Sequence, residues 1–366
     1  MSEALNRIPG VTAEVAATDA DGPERYDPGN WGSANTQLHL FARDGSERYK
    51  SSTDLDEWLR IRVADYDVVE THGLWNYPAY AARRAAVKHA KPLVIRPCGM
   101  LSDYTWTRKP PLKYAYWWLR ERANVRAASA FHCTSEGEAV EVRKHRAARG
   151  LIRVIPNGVD RAAWTVPNDP SELRSACGPR AENMPIVLFL SRLHPKKGLT
   201  DFLLPALAFM RARAFLAVVG GPDENARGYL NEVRNAVKQH GLVDRVAFLG
   251  PVAASRRWAM FDGADVFALP SHSENFGIVV AEAMARGCPV LVTDGVQSSE
   301  HVTRANAGVV TRAETTSVAD GLNRILGGER AAFGEQGRAY AKEHFDWDRI
   351  ADQLLNLYRG LPRTEQ

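Results

Sequence analysis

The chain has 366 residues with 45% hydrophobic content, enough to bury two cores of ordinary domain size. Its net charge of +4 excludes a nucleic-acid partner argued from charge alone, and no apolar run approaches the ~18 residues of a spanning helix. Cys98, Cys133, Cys177 and Cys288 form no CxxC pair and follow no secretory signal, so four free thiols in a reducing cytosol are expected.

Short β-rich runs alternate with helical ones along the first half. Strands are predicted at 67–71, 92–96, 130–134 and 152–155, with helices at 78–90, 112–128 and 136–148 between them. That is a doubly wound α/β unit. His72 closes the first of these strands in THGLWNYPAY, beside Trp75 and Tyr77, whose faces can stack on sugar rings. A lone His after a strand reads as structural, or, at the carboxyl edge of a sheet, as a site residue. From Arg108 to Arg126, RKPPLKYAYWWLRERANVR sets Tyr114, Tyr116, Trp117 and Trp118 among Arg and Lys on one helix. The preferred reading packs these aromatics inside and solvates the cations. The other lays the helix on an anionic bilayer.

Residues 160–184 lapse into Pro, Asn, Ser and Gly punctuation and read as an interdomain linker with a short helix. A second alternating series follows, with strands at 186–190, 215–219, 246–249, 266–269 and 289–293. Arg192 and Lys197 flank a turn at Pro195, where a guanidinium and an ammonium can neutralise a departing diphosphate; an ordinary solvated basic turn is the alternative. Pro205, inside DFLLPALAF, predicts a kink or a late helix start, because a helix-interior proline costs ~3 kcal/mol. Gly220 and Gly221 end a strand and permit close backbone approach to a ligand. Residues 347–359 form an amphipathic final helix.

The most informative stretch is LPSHSENFGIVVAEAMARGCPVLV, 269–292, which sets Glu274 and Glu282 across a strand, a loop and a helix expected over 277–286. At ~1.5 Å rise per residue the two carboxylates stand too far apart to act as a coupled pair and suit two separate rings, one holding the transferred sugar and one the ribose. The backbone amides of Asn275, Phe276 and Gly277, at a helix N-terminus, can hold a diphosphate or a sugar hydroxyl. Two plainer readings stand beside these. Ser271 with Glu274 fits a capping box, and Glu282 with Arg286 fits a surface ion pair.

The whole string resembles the glutamate, seven residues, glutamate signature of family-four retaining glycosyltransferases of the GT-B fold. The resemblance continues through VIPNGVD, SRLHPKKG, VVGGPDENARGYL and VAFLGPV in the family's order. It implies an α/β chain of two Rossmann-like, doubly wound domains facing across a cleft: residues 1–165 for the acceptor, 166–345 for the nucleotide sugar, and a helix at 346–366 crossing back to the first domain. It implies Arg192 and Lys197 on the diphosphate, Gly220 and Gly221 near it, Glu274 on the sugar, Glu282 on the ribose, and Pro251 and Val252 at the base. His72 resembles the HGLW segment of some bacterial polysaccharide and lipopolysaccharide transferases and joins the catalytic candidates.

The resemblance further implies a cytoplasmic, metal-independent hexosyltransferase with no cofactor beyond its nucleoside diphosphate sugar donor. The acceptor would be a glycan or lipid-linked sugar of cell-surface polysaccharide synthesis, with peripheral contact at the inner membrane face and no nucleic-acid partner. Two departures matter. Residues 4–19 already resemble the end of the family's first helix and its second strand, so the first strand and Gly-rich loop are expected to be absent. Arg96-Pro97-Cys98-Gly99 stands where many relatives carry a histidine near the donor sugar, leaving Gly99 and Met100 to serve through backbone groups. A GT-B isomerase or phosphorylase and a catalytically weak nucleotide-sugar-binding partner are the alternatives.

Overall fold

The computed structural model describes the chain except for residues 22–23, 28, 30, 32, 47–48, 107–109, 227 and 363–366. Arg108 and Lys109, which begin the basic aromatic stretch, therefore lie outside the described residues. The chain divides into two compact units: Met1–Pro156 with Trp347–Gln366, and Asn157–Asp346.

In the first unit, α1 (Ser2–Leu5) precedes β1 (Val15–Thr18), which pairs in parallel with β2 (Leu38–Phe41). A separate parallel sheet holds β3 (Val69–His72), β4 (Leu93–Arg96), β5 (Ala130–Cys133) and β6 (Leu151–Val154) in sequence order. Several helices of this unit start on side-chain caps. Ser52 accepts from the Leu55 amide at the head of α2 (Thr53–Arg62), and Asn76 accepts from Ala79 at the head of α3 (Tyr77–Lys88), each satisfying an otherwise orphaned donor. Asp54 and Asp56 in the first turn of α2 and Arg60 and Arg62 in its last complement the macrodipole. The buried alanines Ala79, Ala81, Ala82, Ala85 and Ala86 let α3 lie close over the sheet. The C-terminal helix, Trp347–Arg359, buries Ile350, Ala351, Leu354 and Leu357 against α1, β4 and β5 in this same unit.

The second unit is one parallel sheet of six strands: β7 (Ile186–Leu190), β8 (Phe215–Val219), β9 (Val246–Gly250), β10 (Val266–Leu269), β11 (Val290–Thr293) and β12 (Gly308–Thr311). Their spatial order is β9-β8-β7-β10-β11-β12. β8, β10 and β11 are buried along their whole length, as expected for strands covered on both faces, where alternation gives way to continuous apolar runs. Each fully buried Leu, Val or Phe contributes about 1.5–3 kcal/mol of transfer free energy, so the strand ends that carry the site are firmly held.

The expected linker belongs to this second unit, and the unit boundary falls at 156/157 instead of 165/166. Ala163, Leu173 and Cys177 are buried in its core, and Val159 bridges to Asp346. Of the two effects expected of Pro205, the late start is present: a π-helical turn, Leu199–Leu203, precedes an α-helix that begins only at Leu204. The proline has no N–H for the Asp201 carbonyl four residues back, and the Thr315 hydroxyl donates to that carbonyl instead.

Candidate functional site

The order of the second sheet reverses beside β7, with β8 on one side and β10 on the other. In open α/β sheets this switch point, at the carboxyl ends of the strands, is where ligands bind. Three loops converge there. After β7, the chain turns through Pro195–Lys197, capped by His194, whose Nδ1 accepts from the Lys196 amide at 3.0 Å. Gly198 follows at φ 69°, and a Cβ there would overlap the Pro270 carbonyl; only glycine lets this turn press against the end of β10.

The loop after β10 is stitched on both sides. The His272 amide donates to Lys196 O at 2.9 Å, the Glu274 amide donates to Gly295 O at 2.9 Å, and the Gln297 amide donates to Glu274 O at 3.1 Å. Glu274 is thus fixed by main-chain bonds to its neighbour loops, and its side chain meets the Lys197 ammonium in an ion pair. Arg192, 75% exposed, reaches across to the buried Asp223 carboxylate. The structure therefore brings Lys197, Glu274 and the β7 and β8 ends together at one edge.

Gly220 donates its amide to Gly250 O at 2.8 Å and sits at φ 138°, where a Cβ would overlap the Ser191 carbonyl. Its glycine identity is thus explained by the closeness of the β7 and β8 ends. Gly221, Pro251 and Val252 follow at the ends of β8 and β9, with Pro251 exposed and Gly221 and Val252 half-buried.

Behind Glu274 begins α4 (Ile278–Ala285), with Gly277 at its N-cap and no side-chain cap. The helix starts one residue later than expected, which changes the predicted donor set. Val280 donates to Gly277 O, so the orphaned first-turn amides are those of Gly277, Ile278 and Val279. Asn275 and Phe276 precede the helix, and the Phe276 ring lies in the core against His301 and Phe345. The capping box does not form: Ser271 Oγ is buried without a hydrogen bond, and the Glu274 side chain goes to Lys197.

Glu282, on α4, is buried, with Oε1 3.3 Å from Arg257 Nη1 and Oε2 without a partner. Burial pushes its carboxyl above the usual range; Arg257 opposes this and Asp160 adds to it. The surface pair with Arg286 is not present. Arg286 is itself buried, bonded to Asp262 at 2.6 and 2.7 Å and to the carbonyls of Ala163 and Val166. An orphaned carboxylate oxygen inside a polar pair is the type of group that a ligand hydroxyl satisfies. Arg257 and Asp223 were not legible as site residues. Arg257 stands in ASRRWAM without any spacing signal, and Asp223 lies within GGPDE with nothing to mark it as the partner of Arg192.

In the first unit, His72 ends β3, 45% exposed, its Nε2 3.1 Å from Glu70 Oε1. The buried Glu70 also meets His132 Nδ1 at 3.1 Å and accepts from the Tyr358 hydroxyl. Burial works against its ionisation, but the bonds from His132 and His72 outweigh that and hold the carboxyl well below the usual range. Trp75 is not free to stack on a sugar as expected, since its ring packs with Trp106, Tyr116 and Trp117. The backbone donors of Gly99 and Met100 are also engaged, with Glu138 Oε1 at 2.5 Å and Pro97 O at 3.0 Å. The basic aromatic helix divides its rings: Tyr116 and Trp117 pack inward, whereas Leu112, Trp118 and Leu119 are exposed.

Comparison with known proteins follows this geometry. Residues 174–340 match the model for glycosyl transferases group 1, and residues 2–158 match that for the glycosyl transferase 4-like domain. A D-inositol 3-phosphate glycosyltransferase of Xylanimonas cellulosilytica is 33% identical over 66% of this chain and 59% of its own. A GDP-mannose-dependent alpha-(1-6)-phosphatidylinositol monomannoside mannosyltransferase of Mycobacterium tuberculosis is 31% identical over 66% of this chain and 72% of its own. The crystal structure of Anabaena HepE in complex with UDP-glucose superposes with a TM-score of 0.72 at 25% identity, covering 89% of this chain and 86% of that one. The chain spans 51–59% of the length of three D-inositol 3-phosphate glycosyltransferases that it matches. Both halves of the chain, the parallel-sheet architecture and the relatives agree, and the chain belongs to the group 1, family-four glycosyl transferases of the GT-B fold.

Proposed function

We propose that this chain is a retaining glycosyltransferase that moves a hexose from a nucleoside diphosphate sugar to a glycan or lipid-linked acceptor in cell-surface polysaccharide or glycolipid synthesis. The observation that carries the reading is the convergence of Lys197, Glu274 and the N-terminus of α4 at the β7/β10 switch point, with the unpartnered Oε2 of Glu282 on the same helix. The names of the relatives, which use inositol phosphate, GDP-mannose and UDP-glucose, support the donor and acceptor classes.

In this reading Glu282 takes the ribose hydroxyls and Glu274 the transferred sugar. Arg192, Lys197 and the amides of Gly277, Ile278 and Val279 hold the diphosphate as charge builds on it, and Gly221, Pro251 and Val252 border the base. His72, oriented by Glu70, serves the acceptor side. The acceptor attacks the face that the leaving phosphate departs from, and that phosphate takes the acceptor proton. Charge neutralisation by these groups makes a divalent metal unnecessary. The protein works in the cytoplasm; the exposed Leu112, Trp118 and Leu119 support a peripheral membrane contact.

A panel of UDP, GDP and ADP sugars screened by thermal shift, followed by transfer assays with anomeric configuration read by NMR, tests each part. Retained configuration with turnover unaffected by chelator is expected. An inverted product would overturn retention, and turnover restored only by manganese or magnesium would overturn metal independence. Binding without transfer or hydrolysis would leave a nucleotide-sugar-binding partner as the better reading.

A further inference from the structure

The pairing of β7 with β8 continues past the ends of both strands. The Ser191 amide donates to Val219 O at 3.0 Å, the Leu193 amide to Gly221 O at 2.8 Å and the Asp223 amide to Leu193 O at 3.2 Å, with Leu193 bridged in parallel to Pro222. A short 3-10 turn, Glu224–Ala226, follows, and the Ala226 amide donates to Asp223 O at 2.9 Å. The main chain of Asp223 is therefore fixed from both sides. Leu193 buries its side chain, and its neighbour Arg192 turns the other way, into solvent, as successive residues of an extended segment do.

Arg192 and Asp223 differ in freedom. The Arg192 side chain is 75% exposed, and its Nη1 donates to Oδ2 of Asp223, whose side chain is 5% exposed. No other hydrogen bond or ion pair holds this guanidinium among the described residues. The carboxylate engages one terminal nitrogen, so the edge formed by Nε and Nη2 keeps its donors for a phosphate, which arginine binds bidentately.

A pair with one exposed partner adds little to stability, and a carboxylate beside a diphosphate repels it. Neither effect explains why the loop after β8 fixes a buried carboxylate here. Orientation does. A long exposed side chain loses much rotamer freedom when it is immobilised by a ligand, and ordering it beforehand removes that cost from binding. We propose, resting on the assignment of Arg192 to the diphosphate, that Asp223 is a positioning residue. It holds the Arg192 guanidinium at the β7 end before the nucleoside diphosphate binds, and its contribution passes through Arg192 alone.

Calorimetric affinities of the intact chain for UDP and UMP, and for GDP and GMP, test this through the preference for diphosphate over monophosphate. Asp223→Asn removes the charge and keeps an acceptor oxygen, whereas Asp223→Ala removes both. At equal charge, the Ala variant should favour the diphosphate about 3- to 10-fold less than the Asn variant, the cost of ordering one long side chain, with monophosphate affinity alike in the two. In an Arg192→Gln background the two variants should not differ. Equal preferences of the Ala and Asn variants overturn the proposal. So does a stronger diphosphate preference in the Ala variant, which would mean that Asp223 withholds Arg192 from the ligand. A fall in monophosphate affinity as large as that for the diphosphate would mean a disturbed loop, and a difference that persists in the Arg192→Gln background would mean a route other than Arg192; either also overturns it. If Arg192→Gln alone leaves the native preference unchanged, the diphosphate assignment of Arg192 fails as well. If it lowers that preference while the two Asp223 variants agree, only the positioning role fails.

Discussion

Lys197 and Glu274, 77 positions apart, form an ion pair at the point where the order of the second sheet reverses. Neither position is set by the pair itself. The Lys197 turn is held by the His194 cap and by Gly198 against Pro270, and Glu274 by its backbone bonds to Gly295 and Gln297. The two side chains are only 13% and 21% exposed, and a pair buried to that degree repays little beyond the cost of desolvating its charges, so its presence is not explained by stability.

Lys197→Ala should retain the fold, with a lowered thermal midpoint from the unpaired Glu274, while transfer falls by ~10²–10³, the range for one group aimed at developing charge. A double-mutant cycle separates the two roles. If Lys197→Ala has no further effect on nucleoside diphosphate affinity once Glu274→Ala is present, Lys197 serves only to hold Glu274, and the diphosphate assignment fails.

Glu282 leads to a different expectation. Its unpartnered Oε2 and the opposing Arg257 mean that a carboxylate is kept where burial disfavours it. Glu282→Ala should weaken binding of the free nucleoside diphosphate by about 10- to 100-fold, the equivalent of one or two hydrogen bonds to a charged group, with no loss of thermal stability. Calorimetry with UDP and GDP reads this. Unchanged affinity for both would refute the ribose role.

Much of the second unit was legible because its strands are continuous apolar runs and its helix starts carry turn residues. The strands at 186–190, 215–219 and 266–269 stand where their patterns put them. β2 and β12 escaped, since LHLF and GVVT are short and lack clear punctuation. At the site, spacing marked Glu274, Glu282 and Lys197. It could not show that Arg286 turns inward to Asp262 or that Trp75 is enclosed by other rings, because a sequence period gives the face of a helix but not the long-range partner. The late start of α4 escaped for a similar reason: Gly277 fits either an N-cap or a first helical residue until its φ of 67° is known.

Arg286 provides a prediction about stability. Its guanidinium and the Asp262 carboxylate are each 1% exposed, and removing one partner of such a pair leaves an uncompensated buried charge. Arg286→Ala should destabilise the second unit by about 3–5 kcal/mol. Asp262→Ala should cost a similar amount, and the double variant less than the sum. Urea unfolding that gives additive losses would argue against the pair as one unit.

The exposed Leu112, Trp118 and Leu119, with the Arg122 guanidinium 5.1 Å from the Trp118 ring centroid, suit an anionic bilayer surface. Trp118→Ala with Leu119→Ser should lower the fraction bound to phosphatidylglycerol vesicles and leave transfer to a soluble acceptor unchanged. Equal vesicle binding by the native chain and this variant would remove the membrane assignment.

His301 carries the pH dependence. Its imidazole is enclosed by Phe276, Phe345 and Tyr340, with Nδ1 2.9 Å from the Tyr340 hydroxyl, and burial pushes its pKa down to about 4 from an ordinary 6.5. The unfolded chain therefore binds this proton at a pH where the folded chain does not, and between those values stability rises with pH. The contribution is fully present above about pH 6.5 and is lost as pH falls towards 4, a difference of about 3 kcal/mol at ~1.4 kcal/mol per unit. His301→Gln, which cannot titrate there, should flatten that part of the curve. Because the Phe276 ring rests on His301 just ahead of α4, nucleoside diphosphate affinity should fall over the same window in the native chain and less so in the Gln variant. Urea unfolding free energies at pH 7, 5.5 and 4 decide it: parallel curves for the two proteins would place the acid sensitivity elsewhere.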